Sequence, residues 1–291
     1  MDTFAFFLLG FFVVGYFVLA GADIGVGMLL PFLGRDRRLT LAAIAPFFLG
    51  NEVWLVASAG LLTALFPALE ADLFGRIWGA LVVLICAWIL RDMGLWLRGR
   101  REEPVWRRTW DGAIVAGSWG VAASWGVAIG VLLGGGGPLF AVTTCGLFAL
   151  HGAVFAVVRL GGEAPRAVAR WVVRVALLAG VPCAVGAGAG ELGRTAPVAV
   201  ALAAALAAVW IALARPGGAE GRARDGWALA ASALAITAVP LLGGLNLPDA
   251  SPTDGATLTL AVTGPLVPVL VAAQAWMWWI FRGRVERPSY L

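Results

Sequence analysis

Two acidic residues inside long apolar segments are the strongest candidates for chemistry. Asp23 lies in GADIGVGML (21–29), and Glu52 lies in GNEVW (50–54). A charged group is costly inside an apolar segment of membrane length, so each of them requires a function or a partner. The functional interpretation of both is a relay of protons or cations. The structural alternative pairs Asp23 with an arginine or a backbone amide, and gives Glu52 a hydrogen bond to Asn51 or to a facing helix.

The depth of Glu52 favours proton transfer. It lies about eleven residues after the start of its apolar segment at residue 41, which corresponds to about 16 Å along an α-helix. This distance places its carboxyl group near the middle of a bilayer core about 30 Å thick. A short acidic side chain cannot reach water from there, so the protonated form is favoured. Asn51 and Trp54 lie within one turn of Glu52 and are candidate pathway or structural residues.

Three further polar residues are candidates for the same pathway or for a structural role. Arg91 ends an apolar segment in ILRDMG (89–94), and we expect it to be a cytosolic anchor beside Asp92. Trp110 and Asp111 follow an arginine-rich stretch and precede the next apolar segment. None of the three has a spacing that by itself predicts catalysis.

His151 is the single histidine of the chain, and it lies within an apolar segment. One histidine can be an axial haem ligand or a proton relay, but it cannot supply two ligands to one haem. The sequence contains no HxxxH, ExxH or CxxCH pattern, so we predict no metal site in this chain. The structural alternative for His151 is a hydrogen-bonded residue that packs between helices.

The composition identifies the class of protein. The chain has 291 residues, of which 61% are hydrophobic and 13% are charged, whereas soluble domains carry about 25% charged residues. This difference excludes a soluble globular domain, a disordered chain and a secreted disulfide scaffold. We predict an all-α polytopic membrane protein, because nine apolar segments are each long enough to cross a bilayer. These segments cover residues 4–32, 41–66, 73–97, 112–133, 138–160, 168–187, 195–214, 226–244 and 257–281.

The arginines predict the orientation in the membrane. All 21 basic residues are arginine, and all except Arg76 and Arg194 fall in alternate loops, at their helix ends or in the C-terminal tail. Because positive charge accumulates on the cytoplasmic side, the N-terminus is predicted outside and the C-terminus inside. The arginines flank apolar segments, so they indicate the membrane surface rather than a nucleic acid as their partner.

Several segments resemble, in order along the chain, subunit II of the cytochrome bd-type quinol oxidases. GYFVLAGADIGVGML (15–29) is similar to the first-helix signature of that family, and IAPFFLGNEVWLVASAGLLTALFP (44–67) is similar to its second helix. Arg91 and Gly94 stand where the family has an Arg-Pro-x-Gly turn. The later similar segments are WRRTWDGAIVAGSW (106–119), GLFALHGAVFAVVRL (146–160) and LTLAVTGPLVPVLVAAQAWMWWIFRG (258–283). Together these segments cover about a third of the chain, and residues 165–245 match in hydropathy alone.

The resemblance implies an accessory subunit of a complex that oxidises quinol and reduces dioxygen to water. Subunit I of that family carries haems b and d and the quinol site, whereas subunit II binds no haem, supports the complex and is expected to aid proton or oxygen access. The implied fold is one membrane domain: a four-helix bundle over about 1–133, a second over about 138–244, and a peripheral helix at about 257–281. The implied partners are subunit I in a heterodimer, membrane lipid and, as an open alternative, a small extra subunit. The implied location is the bacterial cytoplasmic membrane.

Two positions depart from the family pattern, and two other functions stay open. Ala20 and Leu49 stand where the family has Asp, which leaves Asp23 and Glu52 as the acids deep in the first two segments. A proton-coupled secondary transporter would use Asp23 and Glu52 as coupling acids near the midplane. A structural membrane scaffold would need neither. The polar residues are concentrated in the first five segments, which argues against two symmetric transporter halves.

Overall fold

The chain folds into α-helices throughout the part that the computed structural model describes, which is residues 2–34, 36–134, 137–187, 192–214, 221–244, 251–253 and 255–287. Side chains are described for the same residues except 2, 179–187 and 192–195. The helices are α1 (Asp2–Leu29), α2 (Arg37–Ile44), α3 (Phe48–Leu65), α4 (Pro67–Leu97), α5 (Pro104–Leu132), α6 (Gly137–Leu160), α7 (Glu163–Ala187), α8 (Leu192–Ala214), α9 (Gly221–Ile236), α10 (Ala238–Gly244), α11 (Ala256–Thr263) and α12 (Leu266–Ile280). A short 3-10 turn, Arg98–Arg100, extends α4. These ranges contain no β-strand.

The described residues include eight helical stretches that are long and apolar enough to cross a membrane. They match the predicted segments except the sixth, at 168–187, which lies within α7. Parts of the predicted loops, at 188–191, 215–220 and 245–250, lie outside the described residues. The all-helical membrane fold is therefore confirmed, whereas the count of nine spans, the two-bundle division and the orientation stay predictions.

Three segments that were predicted as continuous helices are broken at prolines. The second segment divides into α2 and α3 around Pro46, the eighth divides into α9 and α10 ahead of Pro240, and the ninth divides into α11 and α12 at Pro265. Proline lacks the backbone N–H and its ring clashes with the preceding turn, so the helical hydrogen bonds stop there. One consequence concerns Glu52, which lies in the second turn of α3 rather than in the middle of one long helix.

Helix α1 packs against α3, α5 and α6. It crosses α6 at Gly25 and Gly152, where a Cβ atom added to Gly25 would lie 2.8 Å from the backbone nitrogen of Gly152 and against the carbonyl oxygen of Phe148. The two backbones are therefore in direct contact, which small residues allow in membrane helices. This crossing fixes the inner half of α1, where Asp23 lies.

Helix α5 packs along α4 through glycines at the level of Arg91. A Cβ atom added to Gly117 would lie 2.7 Å from the backbone nitrogen of Arg91, and one added to Gly94 would lie 3.0 Å from the carbonyl oxygen of Trp110. Because α5 approaches so closely on one side, the long side chain of Arg91 is directed to the other side, toward α1 and α3.

A methyl group at the α1–α6 crossing is expected to destabilise the fold. Gly25→Ala should lower the free energy of unfolding by about 1–3 kcal/mol, the usual cost of overpacking a tight contact. Gly10→Ala is the matched control on the same helix, because nothing lies within 4 Å of the added Cβ atom. Thermal unfolding of the purified protein in detergent measures both variants. Equal stability of the two would contradict the close crossing.

Candidate functional site

A buried ion pair joins α1 to α4. Arg91 donates from Nη2 to Oδ1 of Asp23 at 2.5 Å, and both side chains are 2% exposed. In the fold, Asp23 is paired with an arginine, as its structural alternative proposed. The expectation that Arg91 is a cytosolic anchor is wrong, because the close packing of α5 turns its guanidinium into the helix bundle.

Asn51 ties this ion pair to α3 and to the last helix. Its Nδ2 atom donates to Oδ2 of Asp23 at 2.7 Å and to the carbonyl oxygen of Leu19 at 2.9 Å. Its Oδ1 atom accepts from Nε2 of Gln274 at 2.9 Å, and Oε1 of Gln274 accepts from the indole nitrogen of Trp54 at 3.4 Å. Gln274 is a member of the site that was not predicted from the sequence, although a polar residue in an apolar segment is a signal; in the structure it is buried.

Glu52 is held by the facing helix and not by Asn51, so one part of its structural alternative is wrong. Its Oε1 atom accepts from the indole nitrogen of Trp88 at 2.9 Å and lies 3.4 Å from Nη1 of Arg91. The same Nη1 atom donates to Oδ1 of Asp92 at 3.0 Å. Asn51 is directed elsewhere because it precedes Glu52 in α3 by one residue, which is about 100° around the helix. Asp92 and Trp88 are members of the site that the sequence analysis did not propose.

Asp111 and Trp110 belong to a second cluster at the end of α4. The carboxylate of Asp111 accepts from Nε of Arg98 and from Nη1 of Arg37, the latter at 2.8 Å. The ring of Trp110 packs edge-on against Trp106 with centroids 5.5 Å apart. Arg98 follows Arg91 by seven residues, or about 10 Å along a helix. This cluster links α2, α4 and α5 and has the character of a structural joint.

His151 connects three helices through its ring. Its Nε2 atom lies 2.8 Å from the carbonyl oxygen of Val18 in α1, and its Nδ1 atom lies 2.8 Å from the hydroxyl oxygen of Ser232 in α9. A carbonyl oxygen can only accept, so Nε2 carries a hydrogen and donates it. With both ring nitrogens engaged, the geometry fits the packing alternative for this residue. The described part of the chain holds no group of three or more His, Cys, Asp or Glu that could bind a metal ion.

An apolar cavity of about 710 Å³ lies next to the carboxyl site. Its walls come from α1, α3, α4, α5 and α10, and include Phe6, Val13, Leu55 and Trp125. Trp88 belongs to the cavity and to the carboxyl site, since its ring lines the cavity while its indole nitrogen donates to Glu52. The polar site is therefore separated from a sizeable apolar space by one aromatic ring.

The chain is similar to known proteins along nearly its whole length. Residues 1–281 match the family model described as cytochrome bd terminal oxidase subunit II. Subunit 2 of the cytochrome bd ubiquinol oxidase of Bacillus subtilis (strain 168) is 27% identical in an alignment of 314 positions that covers 92% of each chain. Subunit 2 of the cytochrome bd-I ubiquinol oxidase of Escherichia coli (strain K12) is 37% identical over 131 residues, which are 44% of this chain but 35% of that protein.

A solved structure agrees with these relatives in fold. A chain of the bd oxidase from Geobacillus thermodenitrificans superposes with a TM-score of 0.73 at 16% identity, over 96% of this chain and 98% of that chain. At this identity the similarity concerns the helical architecture alone. The match to the family model covers almost every described helix, and the chain therefore belongs to the cytochrome bd terminal oxidase subunit II family.

Proposed function

We propose that this chain is the haem-free accessory subunit of a bd-type quinol:dioxygen oxidoreductase in the bacterial cytoplasmic membrane. The observation that carries the proposal is the network of Asp23, Asn51, Glu52 and Arg91, which joins α1, α3 and α4. The residues of this network come from the segments whose order resembles the family. Catalysis belongs to the assembled complex, with quinol as the substrate and haems b and d in subunit I.

The carboxyl groups at the surface of α3 and α4 support a protein partner on that face. The side chains of Glu52 and Asp92 are 14% and 23% exposed on the isolated chain. Ionisable side chains within membrane segments face protein or a water-filled cavity and not lipid tails. The haem-bearing subunit I is the partner that the family supplies, and it would cover this face in a heterodimer. Lipid would cover the remaining apolar surface, and a small extra subunit stays an open alternative.

Proton and oxygen access are the two contributions that the site is suited to make. Glu52 is the proposed proton relay, because it is the carboxyl group of the network with both a donor partner in Trp88 and partial exposure. Asp23 would keep the positively charged guanidinium of Arg91 next to Glu52. The apolar cavity next to Trp88 is suited to dioxygen, which is small and apolar.

Broken helices would also suit a secondary transporter, which was the rival interpretation. However, the polar network with its three acids lies among α1, α3, α4 and α12, whereas the described parts of α6 to α10 hold one buried acid, Asp225, which pairs with Arg166. Inverted-repeat transporters build their site from both halves. Together with the family match, this asymmetry favours the oxidase subunit.

The orientation can be tested with a reporter that is active only after export. Fused after Leu291, the reporter should be silent, because the arginine-rich loops and tail are predicted to stay in the cytoplasm. The same reporter inserted in the 245–255 loop should be active, and it serves as the positive control. Activity of the C-terminal fusion would contradict the predicted combination of nine crossings and an external N-terminus.

The absence of haem from this chain is a second expectation. Purified without its partner, the chain should show no stoichiometric Soret absorption, because both ring nitrogens of its single histidine are engaged. The assembled complex is the positive control. A stoichiometric band in the isolated chain that disappears in His151→Ala would contradict the accessory role.

A neutral replacement of Glu52 distinguishes a proton relay from a structural role. Glu52→Gln keeps the shape and can still accept from Trp88, but it cannot titrate. If Glu52 relays protons, quinol-driven oxygen uptake by the assembled complex should fall about tenfold or more. Haem spectra and assembly should be unchanged.

The matched control is Glu102→Gln, which makes the same substitution at a carboxyl group that is 95% exposed. It should leave oxygen uptake at the wild-type rate. Near-normal uptake by Glu52→Gln would rule out the relay, and loss of assembly in Glu52→Leu alone would then indicate a structural carboxyl group.

A further inference from the structure

The site around Arg91 contains more carboxyl groups than positive charges. Asp23 of α1, Glu52 of α3 and Asp92 of α4 all contact its guanidinium. Among the described residues, the other titratable group that acts on it is the hydroxyl of Tyr16 on α1, which brings no positive charge. Asp23 takes the Nη2 atom at 2.5 Å and a hydrogen bond from Asn51, so its negative charge is fully balanced. Two carboxyl groups are left to share the Nη1 atom.

Glu52 and Asp92 compete for the same donor. The Nη1 atom of Arg91 lies 3.4 Å from Oε1 of Glu52 and 3.0 Å from Oδ1 of Asp92. The two carboxyl groups therefore meet at one nitrogen atom. Two carboxylates so close together do not both ionise, because each charge disfavours the other. A proton between them turns the repulsion into a hydrogen bond.

We infer that Glu52 and Asp92 act as one carboxyl pair that holds a single exchangeable proton, while Asp23 and Arg91 form a permanent ion pair beside it. Donation of the proton leaves two carboxylates around one arginine nitrogen, a costly state that the uptake of a new proton relieves. The proton belongs to the pair and to neither residue alone. The inference deepens the proposed function and rests on it for one step, the use of this proton in oxygen reduction.

Two further observations support proton exchange at Glu52 and Asp92 rather than at Asp23. Asp23 is almost fully buried, whereas Glu52 and Asp92 both reach the surface between α3 and α4. The Nε atom of Arg91 is buried and has no hydrogen-bond partner among the described residues. A buried donor of this kind calls for an acceptor such as an ordered water. The pair therefore lies at the face that subunit I would cover, beside a buried donor whose hydrogen bond is unmet.

Infrared difference spectroscopy of the assembled complex tests the pair directly. A protonated carboxyl group gives a C=O stretching band that ionised carboxylates lack and that shifts in deuterated water. The wild type should show this band. Both Glu52→Gln and Asp92→Asn should lose it, because the single carboxyl group that remains ionises beside Nη1. Asp72→Asn is the matched control on the same helix, with its carboxylate half-exposed and paired to Arg76, and it should keep the band.

The inference requires that the C=O band is lost in both Glu52→Gln and Asp92→Asn, and not in one of them alone. Persistence of the band in either Glu52→Gln or Asp92→Asn would overturn the inference, since one carboxyl group would then hold the proton alone. Asp92→Glu should keep the band, because it restores a carboxyl group to the pair. This variant preserves the test if Asp92→Asn fails to assemble, and loss of the band from an assembled Asp92→Glu complex would count against the pair.

Oxygen uptake by the same variants separates this inference from the proposed function. If the pair supplies protons for oxygen reduction, Asp92→Asn should lower uptake about tenfold, as expected for Glu52→Gln. Loss of the band in both variants with unchanged uptake would support the proton-sharing pair and contradict the relay function. Reduced uptake in Glu52→Gln alone, with the band retained in Asp92→Asn, would support a relay by Glu52 and overturn the pair.

Discussion

The burial of one arginine governs how the first helices meet. A guanidinium removed from water costs several kcal/mol unless charged and polar groups surround it. Arg91 is 1% exposed, so α1 must present Asp23, α3 must present Glu52, and α4 itself adds Asp92. Asn51 then links the ion pair to Gln274 on α12. Four helices converge because each carries a member of the network around this single charge.

Close backbone packing makes this convergence geometrically attainable. Gly94 and Gly117 let α4 and α5 touch at the level of Arg91, and Gly25 and Gly152 let α1 and α6 touch near Asp23. The break at Pro46 frees α3 from the direction of α2, so that Glu52 faces α4. The clusters around Asp111 and His151 join the same helices at other points. Small residues and proline breaks thus act on the site without contributing a functional group to it.

The distribution of acids in this chain differs from the pattern of its family in an informative way. Ala20 is buried and Leu49 is exposed, and both stand where the resemblance places Asp. Asp92 stands at the position of proline in the Arg-Pro-x-Gly turn, where α4 continues without interruption. By that resemblance, α3 carries one carboxyl group fewer than the family pattern, and the facing helix carries Asp92. In the proposed function, the proton-binding site is retained on the same face with a different set of residues.

The sequence by itself determined the class of the molecule and most of its candidate functional residues. Composition and apolar length predicted a helical membrane protein, and the cost of charge in an apolar segment singled out Asp23 and Glu52. Motif order indicated the family. Only the tertiary structure decided that Arg91 is buried rather than an anchor, and that Asp92 and Gln274 belong to the site. The physical reason is that these assignments depend on helix rotation, which is decided by contacts between residues far apart in the chain and by breaks at prolines.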